Sequence, residues 1–252
     1  MLPEELTRFY AGTSNVELPV KNKLQFPDEF KDRSRLCYYA SLFNTVEVNS
    51  TFYRLPMPST VKKWADDVPD NFRFTYKLWK RITHNKGLEF DPADVVRFLE
   101  IIKQAGDKRA CLLIQFPPSL QVNHIHRVQY LLSVLRNSGN DWRTAVEFRH
   151  KSWYTDRVYQ LLSDFNATLV LHDLPASATP LQEPDTDFVY LRFHGPDGGY
   201  RGSYTDDYLA EYASYVNEWL DDGKSVYAYF NNTVGDAVNN LITLRNMVLA
   251  DG

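Results

Sequence analysis

The chain has 252 residues, of which 44% are hydrophobic, 24% charged and 14% aromatic. That composition suits a packed globular domain and excludes a disordered tail, a coiled coil or a collagen-like repeat. Lys plus Arg total 28 against 32 Asp plus Glu, a net charge of −4, so no global basic excess favours a nucleic acid backbone.

Short runs rich in β-branched and aromatic residues recur along the chain. They predict strands near Arg8–Gly12, Thr45–Asn49, Phe72–Lys77, Ala110–Phe116, Thr144–Phe148, Thr168–His172, Phe188–His194 and Val226–Asn231. Helices are predicted between most of them. Leu36, Tyr39, Ala40 and Phe43 form the first apolar face, and Ser59 is expected to cap a helix carrying Val61, Trp64 and Ala65. Asp91-Pro92 reads as an N-cap followed by proline at the first helical position, ahead of Val95, Val96, Leu99 and Ile102, with Gly106 as the stop. Asn123 is expected to open the helix of Val128, Leu131, Leu132 and Leu135. Val158, Leu161 and Leu162 mark the next, Thr205 caps the one with Leu209, Val216 and Trp219, and Ala237, Val238, Leu241, Ile242 and Val248 mark the last. Leu174–Asp187 carries Pro175, Pro180 and Pro184 without a helical period and predicts a loop in place of the sixth helix.

Strand–helix alternation predicts an α/β chain with a parallel sheet. Eight strands in about 250 residues match a TIM-type (β/α)8 barrel, here a single domain over residues 1–252 with its sixth helix replaced by the Pro-rich loop. The rival, an open doubly wound sheet, usually carries a Gly-rich phosphate turn after its first strand. Gly12-Thr13-Ser14-Asn15 is neither GxGxxG nor a P-loop.

Cys37 and Cys111 sit in apolar stretches without metal-ligand spacing and read as reduced core thiols. The first residues lack a signal-peptide pattern, and no apolar run reaches membrane-span length. The expectation is a cytoplasmic protein without a membrane partner.

Barrel sites lie at the carboxyl ends of the strands, and side-chain parity sorts the residues there. In Val46-Glu47-Val48-Asn49 the valines meet the helices, so Glu47 and Asn49 point inward. By the same test Glu147 pairs with Arg149, Tyr190 with Arg192 and His194, and Tyr227 with Tyr229 and Asn231. Lys77, Gln115 and His172-Asp173 end three further strands. So many polar strand ends predict a pocket. The rival explanation is a structural ion network in which Glu47 and Glu147 neutralise Arg149, Arg192 and Lys77.

Several segments resemble the YecE-like family, a domain of unknown function (DUF72): Phe43–Pro56 (FNTVEVNSTFYRLP), Phe72–Lys77 (FRFTYK), Ile82-Thr83-His84, Gln115–Ser119 (QFPPS), Val146–Trp153 (VEFRHKSW), Tyr190–Gly195 (YLRFHG) and Tyr227–Asn232 (YAYFNN). Family members often carry Gly-Trp after the first-strand Gly-Thr-Ser, where this chain has Asn15-Val16. The resemblance implies a TIM-type barrel and no settled activity.

The leading expectation is an enzyme acting by acid/base chemistry on a small anionic substrate bearing phosphate or carboxylate. Glu47, Glu147, His194 and His150 are the candidate acids and bases. Lys77, Arg149 and Arg192 would hold the anion, and Asn49, Tyr53, Gln115, Trp153, Asp173 and Asn231 would orient the substrate. No cofactor motif is visible. The second reading is a divalent-metal phosphodiester hydrolase or sugar isomerase with Glu147, His172, Asp173 and His194 as ligands, an analogy at the level of the fold. Arg149 beside Glu147 disfavours a dication there. The third is a non-catalytic nucleotide or nucleic-acid binder that stacks bases on Tyr53, Trp79, Trp153 or Tyr200. A two-glutamate glycosidase ranks last, because sequence does not fix the carboxyl separation that reaction needs.

Overall fold

The computed structural model describes residues 8–139, 141–182 and 184–250. Nine strands are named among them: β1 Phe9–Thr13, β2 Thr45–Val48, β3 Arg73–Lys77, β4 Arg109–Gln115, β5 Arg143–Glu147, β6 Ala167–Leu169, β7 Leu171–His172, β8 Phe188–Phe193 and β9 Ser225–Phe230. All pairings are parallel, in two sheets ordered β1-β9-β8-β7 and β2-β3-β4-β5-β6. The result is an α/β fold consistent with a TIM-like barrel. The two sheets meet at two seams without a continuous ladder. At one, an isolated parallel bridge joins Ser14 to Glu47, and the Asn44 amide donates to Phe9 O (2.8 Å) and accepts from Ala11 N (3.1 Å). At the other, β6 and β7 are separated by Val170, whose N–H donates to Val146 O at 2.9 Å.

The helices between strands are α1 Arg35–Leu42, α2 Ser50–Tyr53, α3 Pro58–Asp66, α4 Lys80–Thr83, α5 Pro92–Ile102, α6 Ile125–Asn137, α7 Asp156–Asp164, α8 Asp206–Asp221 and α9 Ala237–Ala250. Asp91 caps α5 by accepting from Ala93 N, and Thr205 caps α8 by accepting from Tyr208 N. Ser59 does not cap α3. That helix starts at Pro58, whose fixed φ suits the first helical position and moves the boundary forward. Asn123 lies in a short 3-10 turn, Val122–His124, ahead of α6. Two apolar positions expected to pack, Val96 and Ile242, are exposed. Between β7 and β8 no helix occurs among the described residues.

Period-two alternation divides the core. Val46, Leu112, Ile114, Val146, Val189 and Leu191 pack in the large cluster that includes the helix faces. Their strand neighbours Cys111, Leu113, Ala145, Tyr190 and Tyr229 form a second buried cluster. Within it the Tyr229 hydroxyl bonds the Thr45 and Thr75 hydroxyls at 2.8 and 2.7 Å. Both cysteines are free.

Candidate functional site

The strand parity that aims Glu47, Glu147, Arg192 and Tyr190 away from the helix layer brings them together at the carboxyl ends of β2, β5 and β8. Arg192 is 1% exposed and lies at the centre. Its Nε donates to Glu47 Oε2 (2.9 Å) and its Nη2 to Glu47 Oε1 (2.7 Å), a bidentate fork. Its Nη1 donates to Glu147 Oε2 at 2.5 Å. Glu47 also accepts from the Ser14 hydroxyl and the Tyr190 hydroxyl, each at 2.6 Å. The other oxygen of Glu147 accepts from Arg149 Nε.

Both glutamates are fully buried. Burial alone raises a carboxyl pKa, but the charges and hydrogen bonds of their partners outweigh it. Arg192, Ser14 and Tyr190 hold Glu47 below the usual carboxylate range. Arg149 and Arg192 hold Glu147 well below it. Carboxylates so engaged stay ionised and out of a ligand's reach. That geometry suits anchoring of the arginines rather than proton abstraction.

His194 completes the network. Its Nε2 faces Arg149 Nη2 (3.1 Å) and Arg192 Nη1 (3.2 Å), both obligate donors. The ring therefore accepts there, and its Nδ1–H points to Asp173 Oδ1 at 3.3 Å. Asp173 also accepts from His194 N at 2.8 Å and from the Tyr204 hydroxyl. Burial pushes the imidazole pKa down to about 4 against the Asp173 hydrogen bond. His194 is a neutral strut between an acid and two guanidiniums.

Above this floor opens a cleft of about 650 Å³ whose lining includes Phe52, Tyr53, Lys77, His84, Gln115, Arg149 and the loop at Gly198, Gly199 and Tyr200. Lys77 ends β3 and is 9% exposed. Its Nζ lies 4.3 Å from the centroid of the Phe52 ring, and among the described residues no hydrogen bond or ion pair reaches it. Burial first, then the neighbouring Arg192 charge, lowers its pKa to about 7, opposed by Glu147 and Glu47. Arg149 faces the same cleft. Its Nε and Nη2 are committed to Glu147 and His194, and its side chain is 11% exposed. Gln115 Nε2 donates to Phe116 O at 2.7 Å. Exposed Tyr53 stands at the rim.

Other expected site residues lie elsewhere. His150 accepts from Ser152 N at 3.1 Å and caps the short turn Lys151–Trp153. Trp153 is fully buried, stacks on Phe148 at 4.3 Å and donates to Leu120 O at 2.8 Å, so no face is free for a ligand or a base. Trp79 is half-buried against the core. Asn49 opens α2 with its Oδ1 buried and without a hydrogen-bond partner among the described residues, outside the cleft lining. Asn231 is half-buried and donates its backbone N–H to Phe193 O at 2.7 Å.

The metal set does not converge. His172 Nε2 bonds Phe148 O at 2.9 Å and its Nδ1 accepts from Leu174 N at 3.3 Å. Glu147 is held by two guanidiniums. Among the described residues no group of three His, Cys, Asp or Glu side chains is arranged to hold a metal ion, and no helix is long and apolar enough to cross a membrane.

Sequence parity reached the charged cluster. It missed Phe52 and His84 beside Lys77, and Tyr204 on Asp173. The glycine-rich run Gly195–Gly202 was the available signal for the loop, which needs positive φ at Gly195, Gly198 and Gly202.

A family model described as a protein of unknown function, DUF72, matches residues 10–251. The chain belongs to the DUF72 family. It is 29% identical over 248 residues to the UPF0759 protein YunF of Bacillus subtilis (strain 168), covering 85% of this chain and 86% of that one. It is 29% identical over 116 residues to YecE of Escherichia coli (strain K12), covering 46% and 42%. A DUF72 crystal structure from Thermotoga maritima MSB8 aligns at a TM-score of 0.72 and 27% identity over 95% of this chain and 98% of that one. One from Enterococcus faecalis V583 shares the fold at 0.77 and 22% identity over 95% and 97%. None of these relatives is named for an activity.

Proposed function

We propose that the chain is an enzyme whose cleft binds a small molecule bearing a phosphate or carboxylate, with Lys77 as the proton-transferring group. The observation that carries this reading is the pair Lys77 and Arg149 on one cleft. Among the described residues no carboxylate pairs with Lys77, and Arg149 is aimed by Glu147 and His194. A desolvated lysine titrating near neutrality can give and take protons at physiological pH. A guanidinium fixed along one edge loses little entropy when it meets an anion.

This reading takes the two sheets as one TIM-type barrel. The Ser14–Glu47 bridge supports it, as does Val170, which carries the chain from β6 into β7 and donates its N–H to Val146 O on β5. Loops after the last two strands of such barrels commonly bind phosphate. The glycine-rich loop after β8 contributes Gly198 and Gly199 to this cleft. That comparison is an analogy of fold. The glutamates take a different role from the one their sequence position favours, since they hold Arg192 and Arg149 in place.

Calorimetry with sulfate, inorganic phosphate and citrate tests the proposal. Saturable binding is expected, weakened at least about tenfold in Arg149→Met, a loss near 1.4 kcal/mol. Absence of anion binding, or equal affinity in the folded variant, refutes it.

A further inference from the structure

We infer that the Lys77 amine is a nucleophile that forms an imine with an aldehyde or 2-oxo acid whose anionic group rests on Arg149. This rests on the reading of the cleft as an anion site and deepens it by naming the substrate class.

The geometry is that of an activated amine. Lys77 is a buried residue on the cleft lining, and its Nζ lies against the Phe52 ring with no ion pair or hydrogen bond among the described residues. The contact that favours its charged form is the Phe52 ring face. Desolvation against an apolar ring and neighbouring cations are the two means by which proteins activate an amine nucleophile. Both are present. The groups facing Lys77 are Arg192 on β8, Glu147 and Arg149 at the end of β5, Glu47 on β2 and His84 after α4. Burial and the cationic neighbours prevail, so the free amine is well populated at pH 7.

The step balances without a co-reactant. The nitrogen lone pair attacks the carbonyl carbon, a C–N bond forms, and the C–O π pair moves to oxygen. Both N–H protons then leave with that oxygen as water, giving the imine. Protonated, the imine draws electrons from the adjacent C–H or C–C bond. An Arg149 guanidinium in the same cleft would orient a carboxylate or phosphate carried by the carbonyl compound.

Reductive trapping tests this. The full chain is treated at pH 7 with glyoxylate and cyanoborohydride, and modified lysines are located by peptide mass spectrometry. Lys77 is expected to react at least about tenfold faster than the surface lysines, because far more of it is free amine at that pH. Inorganic phosphate should protect Lys77 and leave the others unchanged. Arg149→Met removes one of the cations that favour the free amine and so should slow both aldehydes at Lys77, but glyoxylate several-fold more than uncharged formaldehyde, because only glyoxylate also loses its anion contact. Modification spread evenly over the lysines overturns the proposal. If Lys77 stays unmodified while calorimetry still records anion binding, the imine fails and the anion site stands. If neither occurs, both fail. Equal slowing of the two aldehydes in Arg149→Met overturns the anionic-substrate assignment, and protection by phosphate in the unmodified chain checks that point without a variant.

Discussion

Lys77→Met should make the protein more stable at neutral and acidic pH. The folded environment lowers the amine pKa from 10.5 to about 7. At about 1.36 kcal/mol per tenfold change, the full difference is roughly 5 kcal/mol. Water entering the open cleft screens part of it, leaving about 2–4 kcal/mol. The sign follows from linkage. A base whose folded pKa lies below its unfolded one costs stability wherever both states are protonated. That cost is complete below pH 7, shrinks as pH rises towards 10.5 and vanishes above it. Methionine carries no charge, has similar length and packs well against Phe52. Urea denaturation of both proteins, in buffer free of binding anions at pH 6 and pH 9.5, reads the difference. The variant should lead by about 2–4 kcal/mol at pH 6, roughly 5–10 °C in Tm, and by much less at pH 9.5. A variant no more stable than the parent at pH 6, or a difference independent of pH, refutes the reasoning.

Glu47→Gln leaves the buried Arg192 with half its compensation and should cost about 3–5 kcal/mol by chemical denaturation; a cost under 1 kcal/mol would contradict the ion network. Because partners hold Glu47 and Glu147 below the ordinary value of 4.5, their contribution is present above that pH and lost as pH falls through the folded values. Circular dichroism should therefore show steeper acid unfolding in the parent than in a folded Glu47→Gln variant. Trp153→Ala should cost about 3–5 kcal/mol through the cavity between Phe148 and Leu120 without changing sulfate affinity, and a selective loss of affinity would return Trp153 to the site. Sulfate binding should weaken as pH rises above about 7 and take up protons, because the bound anion favours charged Lys77; calorimetry in buffers of different ionisation heat checks this.

Much of this architecture is legible in the sequence because strands carry their own period. Val46-Glu47-Val48 has two valines towards the helices and a glutamate on the other face, and one residue of slip would invert both. Strand ends lie within a residue or two of those observed, except that the one strand expected over Thr168–His172 divides at Val170 into β6 and β7, which pair in different sheets. Roles were harder to read, since they depend on partners brought together by closure. Glu47 meets Arg192 across 145 residues of sequence, and no local pattern tells a free carboxylate from one with four donors. Trp153 has the same difficulty, as its burial depends on Leu120, 33 residues away. His150 was different. A histidine two residues before the N–H it accepts is a local cap, and the His-Lys-Ser order contained that reading. Proline's effect on the start of α3 was local as well, and the competing Ser59 obscured it.

The central claim is an addressable amine that titrates near neutrality in an anion cleft, and a titration of that nitrogen tests it most directly. In protein labelled with 13C and 15N at lysine, the Lys77 Cε and Nζ resonances, assigned with Lys77→Arg, should titrate near pH 7 and move upward when sulfate is added. A midpoint near 10.5, unmoved by sulfate, would contradict it.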